Sequence, residues 1–209
     1  TTERYGRMVG DSPAMREVVR TVERIAASDV AVLITGESGT GKEVIADLIH
    51  TFSPRSKGRI IKINCAALPR ELIESELFGS VKGAYTGAHS DREGLFRQAE
   101  GGTLLLDEIS EMPIDTQSKL LRVLQDQEVR PVGGKTSYKT NCRLVASTNR
   151  KTDEAIRDGK LREDLFYRIS AISVHLPPLR ERREDIMPMA NAFLKRFAAQ
   201  ANRVIKGYT

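Results

Sequence analysis

Val30-Ala-Val-Leu-Ile-Thr35 runs directly into Gly36-Glu-Ser-Gly-Thr-Gly-Lys42-Glu43-Val44. A short apolar, β-branched run bounded by turn residues reads as a buried strand, and the glycine-rich turn hands the chain to a helix beginning near Gly41. Between a strand and a helix, the spacing G-x-x-x-x-G-K is a phosphate-binding loop. Its glycines let backbone N–H groups close on a polyphosphate, the helix N-terminus faces the negative charge, and Lys42 reaches the β- and γ-phosphates. The candidate nucleotide contacts are Gly36, Glu37, Ser38, Gly39, Thr40, Gly41, Lys42, Glu43 and Val44. A merely tight turn is the plainer reading, and the strand-to-helix context argues against it. Glu43 stands where a Ser or Thr usually follows the lysine, so the magnesium-binding hydroxyl is missing and the metal must lean on another group.

Outward from this loop the chain alternates strand and helix signals. Ser12-Pro13 reads as an N-cap followed by proline at the first helical position, opening a helix through about Ala27. Strands are expected at Arg59 to Asn64, Thr103 to Asp107, Arg143 to Thr148 and near Ile172, with helices from Pro69 and from Pro113. Glu128 to Tyr138, with Gly133-Gly134 at its centre, reads as a β-hairpin. The repeated order predicts an α/β fold with a mostly parallel five-stranded sheet between helices. After Pro177-Pro178 a helix is expected from about Arg183 to Ala201, so residues 1–176 are read as a nucleotide-binding subdomain and 177–209 as the start of a helical one. One helix alone cannot bury its apolar face, and further sequence is expected beyond Thr209.

Composition narrows the class. A chain of 209 residues with 40% hydrophobic residues is long enough for one sizeable core. No apolar run is long enough to span a bilayer and no signal segment is visible, which predicts a soluble, unsecreted, cytoplasmic protein. Cys65 and Cys142 stand in strand-like runs without metal-ligand spacing and read as buried reduced thiols. His50, His89 and His175 share no metal spacing and read as surface or locally hydrogen-bonded residues. The net charge of +5 is small and dispersed, and does not argue for DNA binding.

The second chemical signal is Gly102-Thr-Leu-Leu-Leu-Asp107-Glu108. An apolar strand ending in two carboxylates beside a phosphate loop offers Asp107 to Mg²⁺ and Glu108 to an attacking water. That pairing favours hydrolysis over transfer to a second substrate; a solvated acidic strand end is the plainer reading.

These residues resemble the central AAA+ ATPase domain of the bacterial enhancer-binding proteins, the activators of RNA polymerase carrying sigma-54. Gly36 to Glu43 is similar to that family's phosphate loop, glutamate included. Glu76-Leu-Phe-Gly79 followed by Gly83-Ala84-Tyr85-Thr86-Gly87-Ala88 resembles its signature, usually written GAFTGA, with Tyr85 in place of the phenylalanine. The likeness runs from about Tyr5 to Phe197. It implies an AAA+ P-loop NTPase fold with a helical lid, ATP and Mg²⁺ as cofactors, and a ring, most simply a hexamer. It further implies that the 79–92 loop, through Tyr85 and Thr86, engages the sigma-54 RNA polymerase holoenzyme and comes near promoter DNA. Enhancer DNA would be bound by a domain outside this stretch. By composition alone, an ordinary surface loop is the favoured reading of Gly83 to Ala88, and the resemblance reverses that preference.

Further roles rest on the same resemblance. Asn64 would hold Glu108 in an inactive orientation, and Thr148-Asn149 would order the attacking water. Val9 and Gly10 would lie against adenine. Arg162 and Arg168, six residues apart on the short helical segment expected over Leu161 to Arg168, resemble arginines that enter a neighbouring subunit's site; a solvated basic face paired with Glu163 and Asp164 is the other reading. Leu179-Arg-Glu-Arg-Arg183 resembles the junction of sheet and lid, with the facing of Arg180 and Arg182 left open. A nucleotide-gated binding module with little turnover is the alternative function. Phosphate release distinguishes it from an ATP-driven remodeller, and the Asp107-Glu108 pair argues against it.

Overall fold

The computed structural model describes residues 10–85, 89–203 and 207. Its centre is a five-stranded, wholly parallel sheet of β1 (Val32–Thr35), β2 (Ile60–Asn64), β3 (Thr103–Asp107), β6 (Arg143–Thr148) and β7 (Ile172–His175), in the order β2-β3-β6-β1-β7. Strand alternation sorts the core into two layers. Leu33, Leu104, Leu106, Leu144 and Ala146 face one side, against α3 (Arg70–Phe78), α5 (Ile114–Asp126) and α7 (Glu163–Ile169). Val32, Ile34, Leu105, Val145 and Val174 face the other, against α1 (Pro13–Ala26) and α2 (Lys42–Thr51). Shorter helices α4 (Leu95–Gln98) and α6 (Thr152–Arg157) complete the first layer.

Helix α1 buries Met15, Val18, Val19, Val22 and Ile25, the spacing of one helical stripe. Its ends are closed by side chains. Ser12 caps the start, accepting from the Met15 N–H at 3.3 Å. At the other end Arg143, 1% exposed, donates to the carbonyls of Ala26 (2.8 Å) and Ile25 (2.9 Å). A buried cation there answers both the orphan carbonyls and the negative helix end, although burial pulls the Arg143 pKa below its usual value.

Two expected boundaries move. Strand β1 opens at Val32 rather than Val30, because the ladder begins with Val32 opposite Val145 and Ile172, and Val30 is left exposed before it. The last helix, α8 (Ile186–Gln200), starts three residues later than Arg183, after short 3-10 turns at Leu179–Glu181 and Arg183–Asp185. Those turns carry Arg182 and Asp185 inward. The hairpin forms from β4 (Glu128–Val129) and β5 (Tyr138–Lys139), paired antiparallel. No helix among the described residues is long and apolar enough to cross a membrane.

Candidate nucleotide-binding and catalytic site

The phosphate loop joins β1 to α2 at the C-terminal edge of the sheet. Gly41 is the residue before α2 and has φ 101°, a left-handed backbone that a side chain would strain. Lys42, 7% exposed, curls over the loop and donates to the carbonyls of Gly36 (3.0 Å) and Glu37 (3.2 Å). Its Nζ also stands 3.7 Å from Glu108 Oε1. Thr40 Oγ1 donates to the Glu37 carbonyl at 2.8 Å. Glu43 turns to Lys62 on β2, 2.8 Å away, so its side chain does not take the place of the missing hydroxyl.

Parallel pairing brings the two acidic residues to this edge. Asp107 ends β3 between Asn64 on β2 and Ser147 on β6. Asn64 Nδ2 donates to Asp107 Oδ2 at 3.0 Å, and Ser147 Oγ donates to Asp107 Oδ1. Glu108 follows with φ 53°, an uncommon left-handed conformation for a residue with a side chain. That turn swings its carboxylate toward β6, where Oε2 accepts the Asn149 N–H at 3.0 Å.

The expected contact between Asn64 and Glu108 is therefore replaced by one between Asn64 and Asp107. Register is the cause: Asn64 lies opposite Asp107 across the β2–β3 ladder, whereas Glu108 has left the strand. The expected pair Thr148-Asn149 also divides. Thr148 is fully buried with its hydroxyl against Ser110 Oγ (3.1 Å), while Asn149 is exposed and its backbone meets Glu108. Beside this group a cavity of about 700 Å³ opens between the ends of β1, β6 and β7, touching Gly36, Glu37, Asn149 and His175. Cys65, buried against the same strand ends, has its thiol pushed up to about 12 by burial and by the nearby Asp107 and Glu108, so it stays protonated at neutral pH.

The junction after β7 reaches the loop through two arginines. Arg180 binds the Glu37 carboxylate with both terminal nitrogens and, through that bond, holds Glu37 below the usual carboxylate range. Arg182, 4% exposed, donates to the Thr40 carbonyl at 2.9 Å. Asp185, 1% exposed, accepts the N–H groups of Asp11 (2.8 Å) and Ser12 (2.9 Å) and the Ser12 hydroxyl (2.7 Å). A Cβ on Gly10 would stand 2.8 Å from that carboxylate, so only glycine lets the chain pass so close. Asp185→Ala strands three donors, two of them in buried bonds, and is expected to lower stability by about 3 kcal/mol, read by thermal or urea denaturation. Neither Asp185 nor Ser147 was singled out from the sequence, where each is one polar residue among many. The signal for Asp185 was the charged, proline-flanked stretch around it.

The remaining expected positions are scattered. Gly10 is buried beside Asp185; Val9 lies outside the described residues. Arg162 is the N-cap of α7 rather than a residue within it. It binds Asp164 of its own chain through Nε (3.0 Å) and Nη2 (2.8 Å). Arg168 reaches the Leu124 carbonyl at 2.7 Å and lines a different cavity, of about 380 Å³. Of the signature loop, Gly83, Ala84 and an exposed Tyr85 are described, whereas Thr86, Gly87 and Ala88 lie outside the described residues. The stem is closed by Ser80 N–H to the Arg92 carbonyl (3.0 Å) and the reverse bond (2.8 Å), and by an Arg92–Glu76 ion pair. The segment after β4 docks on this stem through Val132, whose N–H meets the Gly79 carbonyl at 2.9 Å.

A family model described as the Sigma-54 interaction domain matches residues 8–175. The regulatory protein AtoC of Escherichia coli (strain K12) is 52% identical over 205 residues, covering 98% of this chain and 44% of AtoC. The DNA-binding transcriptional regulator NtrC of Salmonella typhimurium is 53% identical over 188 residues, covering 90% of this chain and 40% of NtrC. The crystal structure of NtrX from Brucella abortus in complex with ATP matches with a TM-score of 0.86 at 40% identity, covering 94% of this chain and 42% of that one. The chain spans less than half the length of these relatives. With a parallel AAA+ sheet, a phosphate loop and the acidic pair at one edge, the chain belongs to the sigma-54 interaction domain family, the AAA+ ATPase domain of transcriptional activators of the NtrC and AtoC type.

Proposed function

We propose that this domain hydrolyses MgATP between the subunits of a homo-oligomeric ring, most simply a hexamer, and uses the cycle to remodel RNA polymerase carrying sigma-54 toward the open promoter complex. The observation that supports it best is the convergence of Lys42, Asp107, Glu108 and the Asn149 backbone at the phosphate loop. In this reading the loop amides, including those of Gly39 and Gly41, and Lys42 hold the triphosphate, with Val9 and Gly10 beside the base. Glu108 orients a water and takes its proton.

Asp107 is the residue that would hold Mg²⁺. Such an ion takes one or two protein carboxylates together with substrate phosphates, and a carboxylate braced by Asn64 and Ser147 suits that donor set. When bound, the ion neutralises phosphate charge. Asn64 acts on this reading through Asp107, and Arg180 and Arg182 carry the state of the loop to the segment from Pro177 onward, the start of a lid. Arg162, with Arg168 behind it, serves the site of the next subunit. The 83–88 loop is the contact with sigma-54 and lies near promoter DNA, enhancer DNA being left to a domain outside this stretch. The reading places the protein in the cytoplasm.

The test is light scattering on a size-exclusion column, with purified sigma-54 and ADP plus a metal fluoride that imitates the transferring phosphoryl group. A ring-sized peak containing sigma-54 is expected. A ring without it removes the partner and leaves the ATPase. Thr86→Ala is expected to keep phosphate release within about twofold while open-complex formation falls at least about tenfold, since none of the groups assigned to hydrolysis belongs to the loop. Retained activation would sink the role of the loop.

A further inference from the structure

Gln117 lies in α5, is fully buried, and has its amide wholly engaged. Its Nε2 donates to the Met112 carbonyl at 2.9 Å and to the Lys160 carbonyl at 2.8 Å, and its Oε1 accepts the Arg162 N–H at 2.9 Å. These bonds tie Gln117 to a residue 5 positions before it and to two residues 43 and 45 positions after it. Met112 ends the 3-10 turn Ile109–Glu111, which begins at Glu108, and its side chain is packed in the core. Lys160 and Arg162 belong to the link between α6 and α7, where Lys160 is exposed and Gly159 has φ 66°. Both sides are anchored, one by the packing of Met112 and the other by Leu161, 1% exposed in the same core, and the amide ties the two together at the Arg162 backbone.

We propose that Gln117 is the positioning residue for Arg162: it sets the backbone from which that arginine projects, in register with the turn that follows Glu108. The inference rests on the reading that Arg162 serves a neighbouring copy. The geometry supports a backbone clamp in particular, because Gln117 touches the Arg162 N–H and leaves the guanidinium free to leave Asp164. A displacement of about 1 Å in a group that meets a transition state costs on the order of a hundredfold in rate.

The experiment uses mixed rings of the intact activator and measures phosphate release. Arg162→Ala subunits keep their own site but offer no arginine; Glu108→Gln subunits cannot turn over but offer a good one. Mixed, this reference pair is expected to rise about tenfold or more above either variant alone. Gln117→Met removes every hydrogen bond of the amide at nearly constant volume. As the donor, in Glu108→Gln/Gln117→Met subunits mixed with Arg162→Ala, it is expected to lose most of that rise. As the acceptor, Gln117→Met mixed with Glu108→Gln is expected to regain it, with KM for ATP unchanged. Should Gln117→Met fail to fold, Gln117→Asn, one methylene too short to span Lys160 and Arg162 together, is expected to show the same asymmetry.

Equal rescue in both roles would overturn the proposal. Equal loss in both, with a working reference pair, would reduce Gln117 to a fold-stabilising residue and overturn it as well. If the reference pair itself shows no rise, Arg162 does not act between copies, and the inference falls with that reading.

Discussion

Glu108→Gln is expected to lower ATP turnover by about two to four orders of magnitude while ATP still binds. The substitution keeps the shape of the side chain and removes its ability to take a proton from water. Glu108 is set up for that task by a left-handed backbone and by two contacts that aim its oxygens, the Asn149 N–H at 3.0 Å and Lys42 at 3.7 Å. Lys42 keeps its bonds to the Gly36 and Glu37 carbonyls in the variant, so the loop that holds phosphate is left whole. Phosphate release by a coupled assay, with ATP affinity by calorimetry, separates the two effects. Turnover within tenfold of the parent would show that the proton goes elsewhere; loss of binding would show that Glu108 holds the loop rather than the water.

The second large effect is expected of Arg162→Ala, a fall in turnover of about three to five orders of magnitude when subunits are assembled. Among the described residues the Arg162 guanidinium meets the Asp164 carboxylate, which holds it in its charged form and is easily exchanged for a phosphate at the surface. The side chain's hydrogen bonds among the described residues go to the exposed Asp164, so the melting temperature is expected to stay at the parent value. The assay is turnover at a concentration where light scattering shows the assembled form. A variant that assembles and turns over normally would remove the arginine from the reaction. Arg168 is less free to play this part, because it is tied to the Leu124 carbonyl on α5.

Much of the site could be read in advance because its requirements are local. A loop that closes on phosphate needs glycine at positions such as Gly41, with φ 101°, and a lysine directly after it. A strand buried on both faces needs a run such as Thr103 to Leu106, and its end then delivers Asp107 to the sheet edge. Each of these demands falls on neighbouring residues and leaves a mark in their order.

Other contacts depend on partners far along the chain and leave no such mark. Asn64 was expected against Glu108 and lies against Asp107, a matter of register between β2 and β3 that spacing alone does not reveal. The helix expected from Arg183 begins at Ile186, because Arg182 turns in to the Thr40 carbonyl and Asp185 to Ser12. Arg162, expected on a helix, stands before it, held by Gln117.

Residue order thus settles the sheet, the phosphate loop and the acidic pair, since backbone conformation and burial pattern are short-range properties. Folding in three dimensions settles which polar group each of those residues meets. Asp185 finds Ser12 across 173 positions, and Gln117 finds Arg162 across 45. Such pairings follow from how the layers pack around the sheet, and a buried polar atom must be satisfied by whatever that packing brings within reach.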